Sequence, residues 1–93
     1  MSIVTLSVNF KGRVQGVGFR FLCVRKANSL GVKGWVRNSQ KFDLVESVFQ
    51  GEEKKIYELI NYFKENPYFV RADNVVIDEI KVSEKFSNFE VKY

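Results

Sequence analysis

Ninety-three residues, 45% of them hydrophobic and nine of them phenylalanine, suffice for one compact core and are too few for two. The formal charge of +4 favours anionic partners, although a solvated surface gives the same balance; with no histidine and a single cysteine, the chain lacks the usual general base, a multi-cysteine zinc site and any internal disulfide. No apolar run reaches the roughly 18 residues of a membrane span and the N-terminus carries no leader pattern, so a soluble protein of the reducing cytoplasm is expected.

Residues 3–10, IVTLSVNF, alternate so that Val4, Leu6, Val8 and Phe10 share one face and Thr5, Ser7 and Asn9 the other, which predicts a half-buried first strand. A glycine-rich stretch, GRVQGVGFR, occupies 12–20. Cys23, Ala27 and Leu30 then recur at helical spacing, and Gly31 is a natural C-terminal cap for a helix over 19–30. GWVRN at 34–38 predicts a short strand, and DLVESVFQ a third strand that Gly51 stops. Ile56, Leu59, Ile60 and Phe63 follow the i, i+3, i+4, i+7 pattern of a helix over 52–65, with Glu52 and Glu53 in its first turn and Pro67 beyond its end. VVIDEIKV predicts a fourth strand and NFEVKY a short fifth. The order β-α-β-β-α-β with an added β predicts an α+β, ferredoxin-like fold: two helices covering one face of a mainly antiparallel sheet, in one domain spanning 1–93.

In this order the first strand runs into the glycine stretch and the first helix begins where it ends. Loop and helix N-terminus then present backbone N–H groups to one small space, which suits an anion. Gly12, Gly16 and Gly18 allow the positive φ angles that curl N–H groups into a nest, and Arg20 adds a permanently charged fork able to bond two oxygens at once. The same residues also read as a tight glycine turn beside a surface arginine. No P-loop pattern and no complete dinucleotide fingerprint occurs, which argues against nucleoside triphosphates.

The stretch G-x-V-Q-G-V-x-F-R at 12–20, followed by Ala27, Leu30, Gly31 and GWVRN at 34–38, resembles the two signature blocks of the acylphosphatase family. The likeness extends through Gln50 and Gly51 to the closing NFEVKY. It implies the fold read from periodicity, and it implies hydrolysis of small acyl phosphates to carboxylate and inorganic phosphate. Phosphate would be held by the loop from Gln15 through Gly16, Val17, Gly18 and Phe19 to Arg20, and the attacking water would be positioned by Asn38. Two stretches depart from the family pattern. In the turn after Asn38, where the family commonly places Asp-Gly, this chain has SQKFD and is one residue longer, and YFVRADN at 68–74 predicts a longer loop after Pro67.

That chemistry suits a chain without histidine. The leaving carboxylate has an ordinary pKa near 4 and needs no proton from an acid. A loose transition state spreads charge over the phosphoryl oxygens, so positioning and electrostatic stabilisation carry the reaction. An uncharged asparagine can hold water beside an anion that a carboxylate would repel, although Asn38 by context alone also reads as a hairpin-turn residue. Cys23, Phe19 and Trp35 are expected to pack, and Asp73, Asp78, Glu79 and Glu84 lack metal-site spacing. No metal or cofactor is expected; the partners are a small-molecule acyl phosphate and inorganic phosphate as product and inhibitor, with no nucleic acid or membrane, acting on a monomer. Two alternatives share the topology: an idle or regulatory acylphosphatase-like domain of the kind found in hydrogenase-maturation proteins, and an RNA-binding module. DLVESVFQ lacks the aromatic signature of the latter.

Overall fold

A computed structural model describes residues 3–15, 18–65 and 71–93. Its elements run β1 (Ile3–Arg13), α1 (Phe19–Leu30), β2 (Lys33–Asn38), β3 (Leu44–Glu52), α2 (Glu53–Glu65), β4 (Arg71–Glu79) and β5 (Phe89–Val91). The five strands form one sheet in the order β4-β1-β3-β2-β5. β1 pairs antiparallel with β3 and β4, β2 antiparallel with β3, and β5 parallel with β2. The β1-α1-β2 unit therefore straddles β3, and β3-α2-β4 straddles β1, which is the ferredoxin-like arrangement predicted from the element order.

Both helices are where periodicity put them. Ile56, Leu59, Ile60 and Phe63 are all buried on α2, as are Phe19, Cys23 and Ala27 on α1. Gly31 caps α1, and Val32 N–H reaches back to the Ala27 carbonyl at 2.9 Å. The β1 alternation holds as well: Leu6, Val8 and Phe10 are buried and pair with Phe49, Ser47 and Val45 on the helix-covered face. Ser47, the polar member of that row, donates to the Val8 carbonyl at 2.6 Å, so its burial leaves no donor stranded.

Four expectations are corrected. Gly51 does not stop β3; it pairs with Val4, and the strand continues to Glu52, so α2 begins at Glu53 and only Glu53 of the two glutamates lies in its first turn. β4 begins at Arg71 rather than Val75, because Lys11, Gly12 and Arg13 of a longer β1 offer pairing partners to residues 71–74. The expected 68–74 loop is shortened accordingly, while Asn66, Pro67 and residues 68–70 lie outside the described residues. β4 also ends at Glu79, short of the Val82 expected. Trp35 does not enter the core: it is half-buried on the sheet face away from the helices, with Arg37 5.2 Å and Lys92 4.9 Å from its ring centroid. That flanking satisfies an exposed indole face with cations rather than with carbon.

One glycine is required by packing. Gly34 has φ 132°, and a Cβ there would lie 1.9 Å from the Val48 carbonyl oxygen, so any side chain would drive β2 away from β3. Gln50 fixes the other flank of the sheet. Its amide donates to Thr5 Oγ1 at 3.0 Å and to the Glu84 carbonyl at 2.9 Å, and its oxygen accepts the Phe86 N–H at 2.9 Å. The segment leading into β5 is thus tied to the sheet by one buried side chain.

Candidate active site

Parallel orientation of β1 and β2 brings their C-terminal ends to one end of the sheet, and the parallel pairing of β5 with β2 delivers the chain's last residues to the same end. A cavity of about 370 Å³ opens there. Arg20 and Asn38 both line it, although they come from different elements. Gly18 and Val14 form its edge beside the first turn of α1, and Phe21, Val24, Val91 and Tyr93 supply an apolar wall.

Phe19 sets the position of Arg20. Its ring is buried in a cluster with Phe63 at 4.5 Å and Phe10 at 5.0 Å between centroids, which clamps the first turn of α1 to β1 and α2. The next side chain along, Arg20, is then left half-exposed on the cavity side. Its guanidinium carbon lies 5.5 Å from the centre of the Tyr93 ring. Among the described residues no carboxylate forms an ion pair with it, so its donors are uncommitted to an internal anion.

Gly18 is the N-cap residue of α1 in a left-handed conformation, φ 77° and ψ 16°, which a side chain would strain. The first intrahelical bond runs from Leu22 N–H to the Gly18 carbonyl at 3.0 Å. The N–H groups of Phe19, Arg20 and Phe21 therefore have no acceptor within the helix, the N-cap glycine has no side chain to cap them, and no acidic residue stands in the first turn. Gly16 and Val17, also expected to hold phosphate, lie outside the described residues.

Gln15 has its side chain turned to the opposite task. Its amide nitrogen lies 3.1 Å from the Ser39 carbonyl, 2.7 Å from that of Lys41 and 2.8 Å from that of Leu44. It thereby binds the end of β1 to the longer turn after Asn38, and only its backbone is left for an anion. The turn keeps strand register: Ser39 N–H donates to the Leu44 carbonyl at 3.0 Å, and Asn38 remains paired with Val45. The extra residue is taken up at the tip, where Phe42 is exposed.

Asn38 shares the core-facing side of β2 with Val36. Its Oδ1 is buried and has no hydrogen-bond partner among the described residues. Leaving such an acceptor unmet costs about 1–3 kcal/mol, and a donor from the cavity would remove that cost. A second depression shares Asn38 and Tyr93 with the first and has Arg37 and Lys41 in its lining.

Cys23 is fully buried on α1, and burial pushes its thiol far above the ordinary range, which holds it in the unreactive protonated form. The folded protein at pH 8 is therefore expected to resist iodoacetamide, labelling only as fast as it unfolds. Alkylation at the rate of a small free thiol would contradict this burial. Among the described residues, no three of histidine, cysteine, aspartate and glutamate gather closely enough to hold a metal ion, and no helix is long and apolar enough to cross a membrane.

Sequence reasoning placed Arg20 and Asn38 but missed Phe21, Val24, Val91 and Tyr93 as cavity residues. Their only sequence signal was apolar and aromatic character in α1 and in the closing NFEVKY.

Five strands in this order beneath two helices define a ferredoxin-like α+β protein with its cleft at the start of the first helix. The family model described as acylphosphatase matches residues 6–91. An acylphosphatase of Geobacter sulfurreducens is 38% identical over 86 residues, covering 92% of this chain and 93% of that protein. The solved structure of an acylphosphatase from Coxiella burnetii superposes with a TM-score of 0.87 at 37% identity, covering 97% of this chain and 93% of that one. Full-length HypF, solved in a phosphate- and nucleotide-bound form, matches 99% of this chain with 12% of its own, at a TM-score of 0.84 and 32% identity. The chain belongs to the acylphosphatase family of hydrolases.

Proposed function

We propose that this protein hydrolyses small acyl phosphates, with Arg20 and the N–H groups at the start of α1 holding the phosphoryl group and Asn38 positioning the water. The observation that carries the reading is the buried, partnerless Oδ1 of Asn38 in the same cavity as an unpaired guanidinium. The guanidinium fork bonds two phosphoryl oxygens, and the helix amides donate to the oxyanion from the positive end of the helix dipole. Oδ1 accepts one hydrogen of a water molecule, which turns a lone pair of that water towards phosphorus. As the new P–O bond forms, the bond from phosphorus to the acyl oxygen breaks. The carboxylate leaves with the bonding electron pair, and the proton lost by the water stays with the phosphate product or solvent.

Because the leaving group needs no proton, a site without a general acid serves an acyl phosphate and fails a monoester, whose alkoxide does need one. Purified protein is expected to release phosphate from benzoyl phosphate and to leave a simple alkyl phosphate essentially untouched. Comparable turnover of the two would sink the reading. No release from any acyl phosphate would favour the idle or regulatory role.

A further inference from the structure

The phosphoryl-binding residues occupy only part of the cavity. On one side of them stands the wall formed by Phe21 and Val24 of α1, Val91 of β5 and Tyr93. Phe21 is 64% exposed and Tyr93 fully so, which leaves two aromatic rings at the cavity free to contact an apolar group. The chain up to Tyr93 is fixed by the sheet, and the ring lies next to the proposed phosphoryl-binding arginine. The Lys92 N–H donates to the Val36 carbonyl at 2.9 Å, extending the β5 pairing to the residue before Tyr93. An acyl group attached to a phosphoryl group on Arg20 has this wall within reach, because the same cavity contains both.

We infer that Tyr93 and Phe21 form an acyl-binding subsite that selects aromatic and other bulky apolar acyl phosphates over small ones. The subsite rests on the acyl phosphate reading of Arg20 and Asn38. Its chemistry is apolar burial and ring stacking, which distinguishes a phenyl from a methyl group but not one phosphoryl group from another. The depression that shares Tyr93 and includes Arg37, Lys41 and Glu46 in its lining is the more polar of the two.

The methylene isosteres phenacylphosphonate and acetonylphosphonate, which replace the ester oxygen of benzoyl and acetyl phosphate by CH2, separate binding from turnover. Titration of each into the protein is expected to give about tenfold tighter binding of the phenacyl compound. Tyr93→Ala and Phe21→Ala should each lower that ratio severalfold, whereas Tyr93→Phe should keep it. Loss of the ring beside Arg20 would weaken both phosphonates together, so the ratio isolates contact with the acyl group. Equal binding of the two phosphonates, or a ratio that both alanine variants leave intact, overturns the subsite. Failure to hydrolyse benzoyl phosphate while the ratio behaves as expected would instead overturn the catalytic reading and leave the apolar contact established.

Discussion

Replacing Arg20 by glutamine is expected to lower kcat/KM for an acyl phosphate about 1,000-fold and to weaken inorganic phosphate binding at least tenfold. Each charge-assisted bond from a guanidinium to an anion contributes roughly 1.5–3 kcal/mol, and the fork makes two. Charge on the phosphoryl oxygens is present before, during and after transfer, so the loss falls on binding as well as on rate. Arg20→Lys should recover little of either, since an ammonium is a point charge and cannot bond two oxygens in one plane. The start of α1 should survive both changes, because the Phe19–Phe63–Phe10 cluster holds it rather than the arginine. Phosphate inhibition constants together with a far-ultraviolet spectrum decide the matter. A glutamine variant that folds and binds phosphate as the parent does would remove Arg20 from the site.

Asn38→Ala is expected to separate what Arg20→Gln joins. Turnover should fall on the order of 100-fold or more while phosphate binds at near-normal affinity, if Asn38 bonds the water and not the phosphoryl group as proposed. Stability gives a second readout. The carboxamide oxygen has no hydrogen-bond partner among the described residues, so its removal breaks no bond within them and the melting temperature should not drop. A residue kept for packing or for the hairpin turn would show the reverse pattern, with lost stability and intact turnover. Near-normal kcat in Asn38→Ala would end the water-positioning role.

Much of this architecture was legible because the relevant forces are local. Ile56, Leu59, Ile60 and Phe63 announce a buried helical stripe, and Val4 to Phe10 a one-sided strand, without reference to anything outside their own segments. Arg20 and Asn38 were legible through the blocks 12–20 and 34–38, and the parallel β1 and β2 explain why two such blocks meet at one end of the sheet. Tyr93 was not, because a three-residue strand carries no periodicity that names its partner; only its pairing with Gly34, Trp35 and Val36 puts it by the cavity. Residues 71–74 hid their strand for a related reason. RADN shows no apolar alternation, and its conformation is imposed by the longer β1 beside it. Trp35 was misjudged because hydrophobicity says that a ring will be covered but not whether carbon or cations will cover it.

The three carbonyls gathered by Gln15 join segments that lie 24 to 29 residues apart in the chain. Neither the approach to the phosphate loop nor the turn beyond Asn38 can detach without freeing the other, so the two open to solvent as one cooperative unit. A ligand that binds only the closed form stabilises that form by RT ln(1 + [L]/Kd), whichever of its parts the ligand touches. If phosphate binds at Arg20 as proposed, slower amide exchange is expected at Lys41 and Leu44, and a substitution at the tip of the turn is expected to weaken phosphate affinity. On the proposed reading, affinity for phosphate is in this sense partly a property of the hairpin beyond Asn38.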